Sequence, residues 1–279
     1  MKVRRTDGGS SPPGNPSPGA PVGPSLYYSP SRLSTHDQCP RRYRYRYVDR
    51  RPERVRSAEA VVGDVVHDVV RRLYAYVQGE GRVPSLEAVL ARTRAVFAET
   101  WVPEVSIVAR GMTRQLYATN AERFVANFYA RNEPFADHSV MLEGRVEAPL
   151  GMLGERKVVG FGYADRVSLN GDHYTVHDFK SGKRVLTQPE AERDGQLALY
   201  ALGLQHSRLP AAPGPTQLIW HFVAYGVEVN STADPRRLDA LRREMLERVV
   251  QVEADTTYPA RPGPLCSWCD FRSICPDAR

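Results

Sequence analysis

Long apolar runs, a secretory leader and a nucleotide-binding loop are all missing from this chain of 279 residues. No apolar stretch approaches the ~20 residues that cross a bilayer, and the first residues lack the hydrophobic core of a signal peptide. Gly182-Lys183 is followed by Arg184 and lacks the upstream glycine of a phosphate-binding loop. We therefore expect a cytoplasmic protein that has no membrane partner and no ATP-driven motor of its own.

Lysine is also scarce, so the formal net charge of +6 and the pI near 9.2 come mostly from arginine. A basic excess fits a polyanionic partner, although the arginine preference of a GC-rich genome would produce the same bias. With 42% hydrophobic and 25% charged residues, the composition is typical of a globular protein. Residues 1–25 are rich in Pro, Gly and Ser, which predicts a disordered tail, and residues 26–279 are predicted to form one domain.

Hydrophobic periodicity predicts a helical first half and a mixed second half. A helix capped by Ser31 or Ser34 should run through Cys39. A stripe of valines predicts a helix over 57–77 despite their β-branching. The other predicted elements are helices at 85–100, 113–131 (with Leu116, Phe124 and Phe128 on its apolar face), 189–205 and 235–254, and strands at 139–149, 156–169, 173–180 and 217–229. This order predicts a mixed sheet between helices.

The segment 39–56 interleaves arginines with tyrosines. A helix is favoured, because it places Tyr43 and Tyr47 one turn apart. Arg42, Arg44 and Arg46 would then contact a single-stranded nucleic acid, which needs phosphate neutralisation and stacking surfaces. The alternative is a solvated basic face whose tyrosines pack inward.

Two strands near the middle of the chain carry the strongest chemical signal. Asn170-Gly171-Asp172 is a turn-forming run, so the flanking strands should pair as a hairpin and bring Asp165 next to Asp178. Paired carboxylates suit Mg²⁺ or Mn²⁺, which also bind substrate phosphates. Lys180 should point to the same face as Asp178, where its ammonium would position or activate a water. The pattern predicts phosphodiester hydrolysis.

Asp165 and Asp178-Phe179-Lys180 resemble the PD-(D/E)xK nuclease superfamily, although Ala164 stands where the family name has proline. Gly162-Tyr163-Ala164-Asp165-Arg166 is similar to a local form of its RecB-like branch. This resemblance implies catalytic roles for Asp165, Asp178 and Lys180.

The same resemblance implies further site residues. His67, one turn after Gly63, would be a metal ligand together with Asp165 and Asp178. Gln196 and Tyr200, on one face of a helix, would line the active site and hold DNA phosphate or a water. Glu143 or Glu147 would be a further acid near the metal, with Glu143 preferred. The alternatives from the residues alone are a structural histidine and solvated faces.

All four cysteines require a separate explanation. Cys266, Cys269 and Cys275 follow a C-x2-C-x5-C-Pro pattern, whereas Cys39 lies 227 positions upstream of Cys266. Disulfides are disfavoured in a cytoplasmic protein, which leaves a structural Zn²⁺ or an iron–sulfur cluster. The spacing resembles the [4Fe-4S] nucleases of the RecB-like branch, including AddB-type and CRISPR-associated exonucleases. The cluster would join the two ends of the chain around the catalytic core.

These observations predict an α/β protein with a restriction-endonuclease-like core, an N-terminal helical insertion and a C-terminal iron–sulfur segment. Its expected activity is Mg²⁺- or Mn²⁺-dependent exonucleolytic cleavage of single-stranded DNA or DNA ends, in repair, recombination or defence. Action on duplex ends would require a separate helicase. Two other functions stay open: a non-catalytic DNA-binding subunit of a helicase–nuclease complex, and a zinc-stapled interaction module.

Overall fold

The computed structural model describes residues 25–52 and 56–278. The predicted disordered tail lies almost entirely outside the described residues, as does the 53–55 part of the basic segment. The helices are α1 (Pro30–Gln38), α2 (Pro40–Tyr43), which continues into a π-helical turn (Arg44–Val48), α3 (Ala58–Glu80), α4 (Leu86–Thr100), α5 (Arg114–Asn132), α6 (Gln188–Arg193), α7 (Gly195–Leu204) and α8 (Pro235–Ala254). Two 3-10 turns, Pro264–Trp268 and Arg272–Ile274, follow α8.

Six strands form one mixed sheet, and two short strands pair separately. The strands are β1 (Ser25–Tyr28), β2 (Arg56–Ser57), β3 (Val105–Ser106), β4 (Ser139–Leu153), β5 (Arg156–Asn170), β6 (His173–Lys180), β7 (Thr216–Phe222) and β8 (Val227–Ala233). The main sheet runs β1-β5-β6-β7-β8, with β4 pairing along the other edge of β5. The β1–β5 and β6–β7 pairs are parallel, and β4–β5, β5–β6 and β7–β8 are antiparallel. The predicted mixed sheet is confirmed.

Strand β5 is the centre of this arrangement because two different strands share one of its edges. Its first part pairs with β1, up to Tyr28 opposite Gly160, and its last part pairs with β6 from Arg166 onward. Between these two ladders, residues 161–165 have no strand partner on that edge among the described pairs. The sheet therefore opens at Asp165, at the end of the β5–β6 ladder opposite to the predicted hairpin turn.

Helices flank the sheet and bury two hydrophobic clusters. One cluster joins α1, α7 and α8 to the sheet, and the other joins α3, α4 and α5 to the opposite side of β6 and β7. The valines of α3 fill the second cluster, and this tertiary burial outweighs their modest helix propensity. Ser57 caps the start of α3 by accepting from Ala60 N, and Gly81 ends it in a left-handed conformation with φ 65°.

Two predicted elements are divided in the structure. The predicted helix 189–205 is broken at Asp194, whose backbone is extended and whose carboxylate accepts hydrogen bonds from the N–H groups of Gln196 and Leu197. Capping here begins a new helix in a new direction. The predicted strand 217–229 is a hairpin of β7 and β8, because residues 223–226 form the connecting turn.

Some local predictions were wrong, whereas the long helices were confirmed within a few residues. The cap of α1 is Ser29 rather than Ser31 or Ser34, since Pro30 starts the helix. Leu116 is exposed in the first turn of α5 rather than on its apolar face. Within residues 25–52 and 56–278 no helix is long and apolar enough to cross a membrane.

Candidate active site

The two acids meet where the β5–β6 ladder ends. Its last pair is Arg166 with His177, so Asp165 and Asp178 occupy the next positions on the two strands. Beyond this point the strands separate, and Phe179 N donates its hydrogen bond to Asp165 Oδ2 at 2.8 Å instead of to a neighbouring strand. A side-chain carboxylate thus satisfies a backbone donor that the splayed sheet leaves without a ladder partner.

Asp178 is a buried carboxylate, with 3% of its surface exposed. Its Oδ2 lies 2.7 Å from the ammonium of Lys180, and its Oδ1 accepts from the side-chain amide of Gln196 at 2.9 Å. Burial raises the pKa of Asp178 to about 6, with Asp165 adding to the rise and Lys180 opposing it. Burial also favours the neutral form of Lys180, but the negative charge of Asp178 outweighs this effect, so the pKa of Lys180 is raised.

His67 connects helix α3 to both strands of the hairpin. Its Nε2 lies 2.7 Å from the carbonyl oxygen of Phe179, so this nitrogen carries a proton, because a carbonyl only accepts. Its Nδ1 lies 3.3 Å from Asp165 Oδ1. Burial lowers the pKa of His67, but the carboxylate of Asp165 outweighs burial, and the pKa is raised to about 9. The imidazolium thus occupies a position that favours a cation.

Gly63 explains how α3 brings His67 so close to the hairpin. A Cβ at this glycine would lie 3.2 Å from the Ser181 hydroxyl, just past the end of β6. A side chain here would require the Ser181 hydroxyl to move by a few tenths of an ångström. The Gly-x-x-x-His spacing therefore has a packing reason in this fold: the glycine permits the approach, and the histidine one turn later uses it.

Gln196 and Tyr200 extend the polar site along α7. Gln196 Oε1 accepts from the Lys180 ammonium at 2.9 Å, and its amide nitrogen donates to Asp178 and also to the Tyr200 hydroxyl at 3.2 Å. Burial raises the pKa of Tyr200 well above its ordinary value, so the phenol is neutral. A Cβ at Gly162 would lie 2.3 Å from the Tyr200 ring, so α7 can rest on β5 only because this residue is glycine.

The two glutamates considered as an extra acid lie at different distances from the hairpin. Glu143 lies between Leu142, which is opposite Arg166, and Gly144, which is opposite Ala164. It has a left-handed backbone with φ 49° and pairs with Arg71 of α3 at 3.4 Å. Such a conformation is uncommon for a glutamate. Glu147 is opposite Phe161 and pairs with Arg145. The preference for Glu143 stays a prediction, and its position beside Asp165 is compatible with it.

A divalent cation fits these residues by their donor chemistry. Asp178 Oδ2 is buried against the Lys180 ammonium and has no other described partner, and Asp165 supplies a second carboxylate. In the described ranges, no group of three or more His, Cys, Asp and Glu side chains forms a complete metal cage. Mg²⁺ does not need one, because it is usually held by one or two carboxylates together with waters and substrate phosphates.

A buried polar network that the sequence reasoning missed lies behind the catalytic strand. His177 Nε2 is 3.0 Å from Arg166 Nη1, and His177 Nδ1 is 2.9 Å from His221 Nε2. His221 in turn lies 2.9 Å from Glu228, which also pairs with Arg131. Polar side chains at alternate positions of β6 are visible in the sequence. Only the pairing of β6 with its neighbouring strands shows that His177 contacts Arg166 and His221.

The four cysteines line one open pocket. Two of their sulfurs accept backbone hydrogen bonds, Cys39 from Arg261 N at 3.5 Å and Cys266 from Gly263 N at 3.4 Å. Burial raises the pKa of the Cys269 thiol. No disulfide joins these four residues. The tertiary structure therefore brings residue 39 to the C-terminal triad, in line with the sequence prediction that the four act together.

The basic segment borders this pocket. Arg42 and Arg46 both pair with Asp270, at 3.1 and 2.7 Å, and so tie α2 and the π-helical turn to the cysteine segment. Arg44 lies at the surface beside Asp49.

The tyrosines of the basic segment pack against the protein. Tyr43 is buried against Tyr47, and the Tyr45 ring contacts Phe271. The alternative of inward-packed tyrosines therefore describes this segment, and DNA contacts by Arg42, Arg44 and Arg46 stay a prediction.

Comparison with known proteins identifies a family over most of the chain. The sequence model of the PD-(D/E)XK nuclease superfamily matches residues 27–276. No curated protein matches the chain. Among solved structures, the one titled "Crystal structure of SSO0001" is similar at 14% identity and a TM-score of 0.35, covering 89% of this chain and 94% of its own. That TM-score is too low to support an argument about function or site.

Proposed function

Because this chain belongs to the PD-(D/E)XK nuclease superfamily, we propose that it is a divalent-metal-dependent nuclease that hydrolyses DNA phosphodiester bonds at the open end of the β5–β6 hairpin. One observation carries the proposal. The buried carboxylate of Asp178 contacts both Lys180 and Gln196, beside a second acid, Asp165, on the neighbouring strand. A structural ion pair would need neither the second acid nor the opening in the sheet.

Asp165, Asp178 and His67 would hold the divalent cation, Mg²⁺ or Mn²⁺. When bound, such an ion supplies a Lewis acid that stabilises negative charge on the scissile phosphate and makes water more acidic. The fold prepares the two carboxylates for it, since burial destabilises the charge of Asp178 and a cation would relieve that cost. The Nδ1 atom of His67 faces the carboxylate of Asp165, and this nitrogen would lose its proton when it binds the metal.

Lys180 would act as a donor rather than as a base. Its raised pKa keeps the ammonium charged near neutral pH, and Asp178 and Gln196 hold it in place. A fixed ammonium can orient the attacking water and stabilise charge on a phosphate oxygen. Gln196 and Tyr200 would position the strand, the amide by holding Lys180 and the phenol through its hydroxyl.

We assign the chain to exonucleolytic cleavage of single-stranded DNA or DNA ends, in repair, recombination or defence. The basic composition and the resemblance to RecB-like nucleases support this assignment. A separate helicase would open duplex substrates. Arg44 is the most exposed of the three arginines predicted to contact DNA, because Arg42 and Arg46 also hold Asp270.

A [4Fe-4S] cluster bound by Cys39, Cys266, Cys269 and Cys275 is part of the proposal. The four cysteines line a common pocket. The compact C-x2-C-x5-C triad with one distant cysteine resembles the [4Fe-4S] nucleases of the RecB-like branch, and this resemblance supports the cluster over a single zinc ion. The N–H groups that donate to Cys39 and Cys266 are of the kind that tune cluster sulfurs.

End-labelled linear DNA and circular single-stranded DNA test the activity directly. We expect Mg²⁺ or Mn²⁺ to support shortening of linear strands and EDTA to stop it, while circles survive. If circles were cleaved at the same rate as linear strands, the activity would be endonucleolytic and not exonucleolytic. Binding without cleavage under every metal condition would favour the non-catalytic DNA-binding subunit. Colourless protein with stoichiometric zinc would favour the zinc-stapled alternative for the cysteines.

A further inference from the structure

Within residues 25–52 and 56–278, one face of the sheet beside the active site carries exposed aromatic side chains. Along β4, residues Val146 and Ala148 are buried, whereas Arg145 and Glu147, which alternate with them, are exposed. On β5, Gly160 and Gly162 face α7, so Phe161 and Tyr163 point to the other side of the sheet. Tyr163 is 49% exposed. Helices α3 to α5 pack over β6 and β7 and leave these residues accessible.

The rings on this face form a continuous patch with one arginine. Tyr27, 41% exposed on β1, meets Phe161 edge to face with 6.2 Å between ring centroids. The Arg145 guanidinium lies 4.8 Å from the Phe161 centroid and 5.6 Å from that of Tyr27, and it stands directly opposite Tyr163 in the β4–β5 register. We call Tyr27, Arg145, Phe161 and Tyr163 the aromatic face.

The aromatic face leads into the catalytic opening. Tyr163 precedes Asp165 by two residues on the same strand, and alternation places both on the same side of β5. Asp165, which contacts His67 on this side, therefore borders the aromatic face, whereas Asp178, Gln196 and Tyr200 lie toward α7. The charge of the aromatic face is mixed rather than acidic: Glu147 is paired with Arg145 at 2.7 Å, and Lys157 is exposed farther along β5.

We propose that the aromatic face binds the unpaired bases of single-stranded DNA next to the scissile phosphate. This inference rests on the proposed nuclease function and names its substrate class. Exposed aromatic rings combined with arginine suit base stacking, and in a duplex the base faces are already stacked on each other. Phe161 and Tyr163 are two residues apart on a strand, about 7 Å, roughly twice the 3.4 Å rise of stacked bases. Only a single strand can separate its bases to match that spacing.

Equilibrium binding in EDTA isolates this contact from catalysis. Fluorescent oligo(dT), a hairpin duplex and an abasic strand of equal length are titrated with the full-length protein. We expect Tyr163→Ala to weaken oligo(dT) binding by about fivefold to tenfold without changing the salt dependence, because stacking releases no counterions. Binding of the duplex and of the abasic strand should change less than about twofold.

Two variants serve as matched controls. Tyr163→Phe keeps the ring and should bind oligo(dT) like the wild type. Tyr76→Ala removes a tyrosine that also lies beside an arginine, Arg82, at 5.5 Å, but near the C-terminal end of α3. It should have no effect on binding. Tyr27→Ala repeats the test if Tyr163→Ala does not fold.

Several results would overturn the inference. The inference fails if the wild type shows no measurable oligo(dT) binding, or if Tyr163→Ala binds oligo(dT) with unchanged affinity. It also fails if Tyr163→Ala loses equal affinity for the abasic strand. A loss of affinity that accompanies a change in sedimentation would make the face a contact between two copies of the chain. The two proposals fail separately. An inactive wild type that still shows the Tyr163 effect would remove the nuclease and keep the aromatic face, and an active enzyme without that effect would do the reverse.

Discussion

The hairpin site and the cysteine pocket both collect reactive side chains, but the chain assembles them in opposite ways. Asp165, Asp178 and Lys180 lie within 16 residues of one another and are positioned by paired strands. The cysteine pocket joins residue 39 to residues 266–275. Ion pairs of Arg42 and Arg46 with Asp270, and of Arg41 with Asp277, connect the two segments there.

The two regions also differ in the protein contacts that stabilise them before any ligand binds. Behind the hairpin, the buried network of Arg166, His177, His221 and Glu228 ties four strands together. The cysteine pocket has partly exposed thiols and short 3-10 turns, whose hydrogen bonds are weaker than those of a long helix. We infer that the hairpin is preorganised by the fold, whereas the pocket depends on its ligand for stability.

The largest expected effect is loss of cleavage without loss of folding at the hairpin. Asp178→Asn should reduce the cleavage rate by about a thousandfold or more, because it removes a proposed metal ligand and the anchor of Lys180. The side chain keeps its size and the buried charge disappears, so the thermal unfolding midpoint should stay near that of the wild type. Asp172→Asn, in the exposed turn of the same hairpin, is the matched control and should cut normally. A fully active Asp178→Asn enzyme would refute the site.

The opposite outcome is expected at the cysteine pocket. Cys269→Ser should give colourless protein that is less stable by roughly 4–5 kcal/mol, the value for a cross-link that closes a loop of more than 100 residues. Any folded fraction should still bind Mn²⁺ at Asp165 and Asp178. Ser267→Ala, on the same turn, should behave like the wild type. Iron and sulfide analysis with chemical denaturation measures both quantities, and an equally stable Cys269→Ser protein would contradict the dependence on a ligand.

A smaller effect on stability should distinguish the Asp270 ion pairs from the Arg44–Asp49 ion pair. Asp270→Asn removes the partner of both Arg42 and Arg46 and should destabilise the protein by about 1–2 kcal/mol. Asp49→Asn removes only the exposed partner of Arg44, for which we expect less than about 0.5 kcal/mol. Urea unfolding of the two variants gives the comparison. Equal values would mean that the Asp270 pairs do not hold the two segments together.

The smallest effect concerns the buried network behind the hairpin and depends on pH. Burial lowers the pKa of His221 below 6.5, and the pKa of Glu228 is lowered to about 2, because His221 and Arg131 outweigh its burial. Both groups bind protons more readily when unfolded. Their contribution to stability is therefore complete above about pH 6.5, decreases as the pH falls, and is lost for Glu228 between about 4.5 and 2.

Replacing Glu228 tests this pH dependence. Glu228→Gln should flatten the decline of unfolding free energy in the acidic range, measured by urea unfolding from pH 7 to pH 3. The exposed Glu155→Gln, in the turn between β4 and β5, should follow the wild-type curve. A wild-type curve that does not decline with acid, or a Glu228→Gln curve identical to it, would show that the network does not stabilise the hairpin through these groups.

The pattern of aromatic residues along the sequence does not predict which aromatic side chains are exposed. The segment 39–56 attracts attention because arginines and tyrosines alternate there, yet Tyr43 is buried and Tyr45 covers Phe271. The rings of the aromatic face come instead from β1 and β5, more than 130 positions apart, where no local pattern is visible. Burial depends on which elements cover a face, and that information is not contained in neighbouring residues.

The amino-acid sequence by itself determined the local features: the long amphipathic helices, the Asn170-Gly171 turn and the placement of Asp178 and Lys180 on one side of a strand. Periodicity and turn chemistry act over a few residues, so they can be read without the fold. The tertiary structure alone decided that β5 and β6 separate at Asp165, that Asp194 breaks a helix, and that Arg42 and Arg46 pair with Asp270. These outcomes depend on contacts between distant segments, whose geometry arises only when the sheet and its helices pack together.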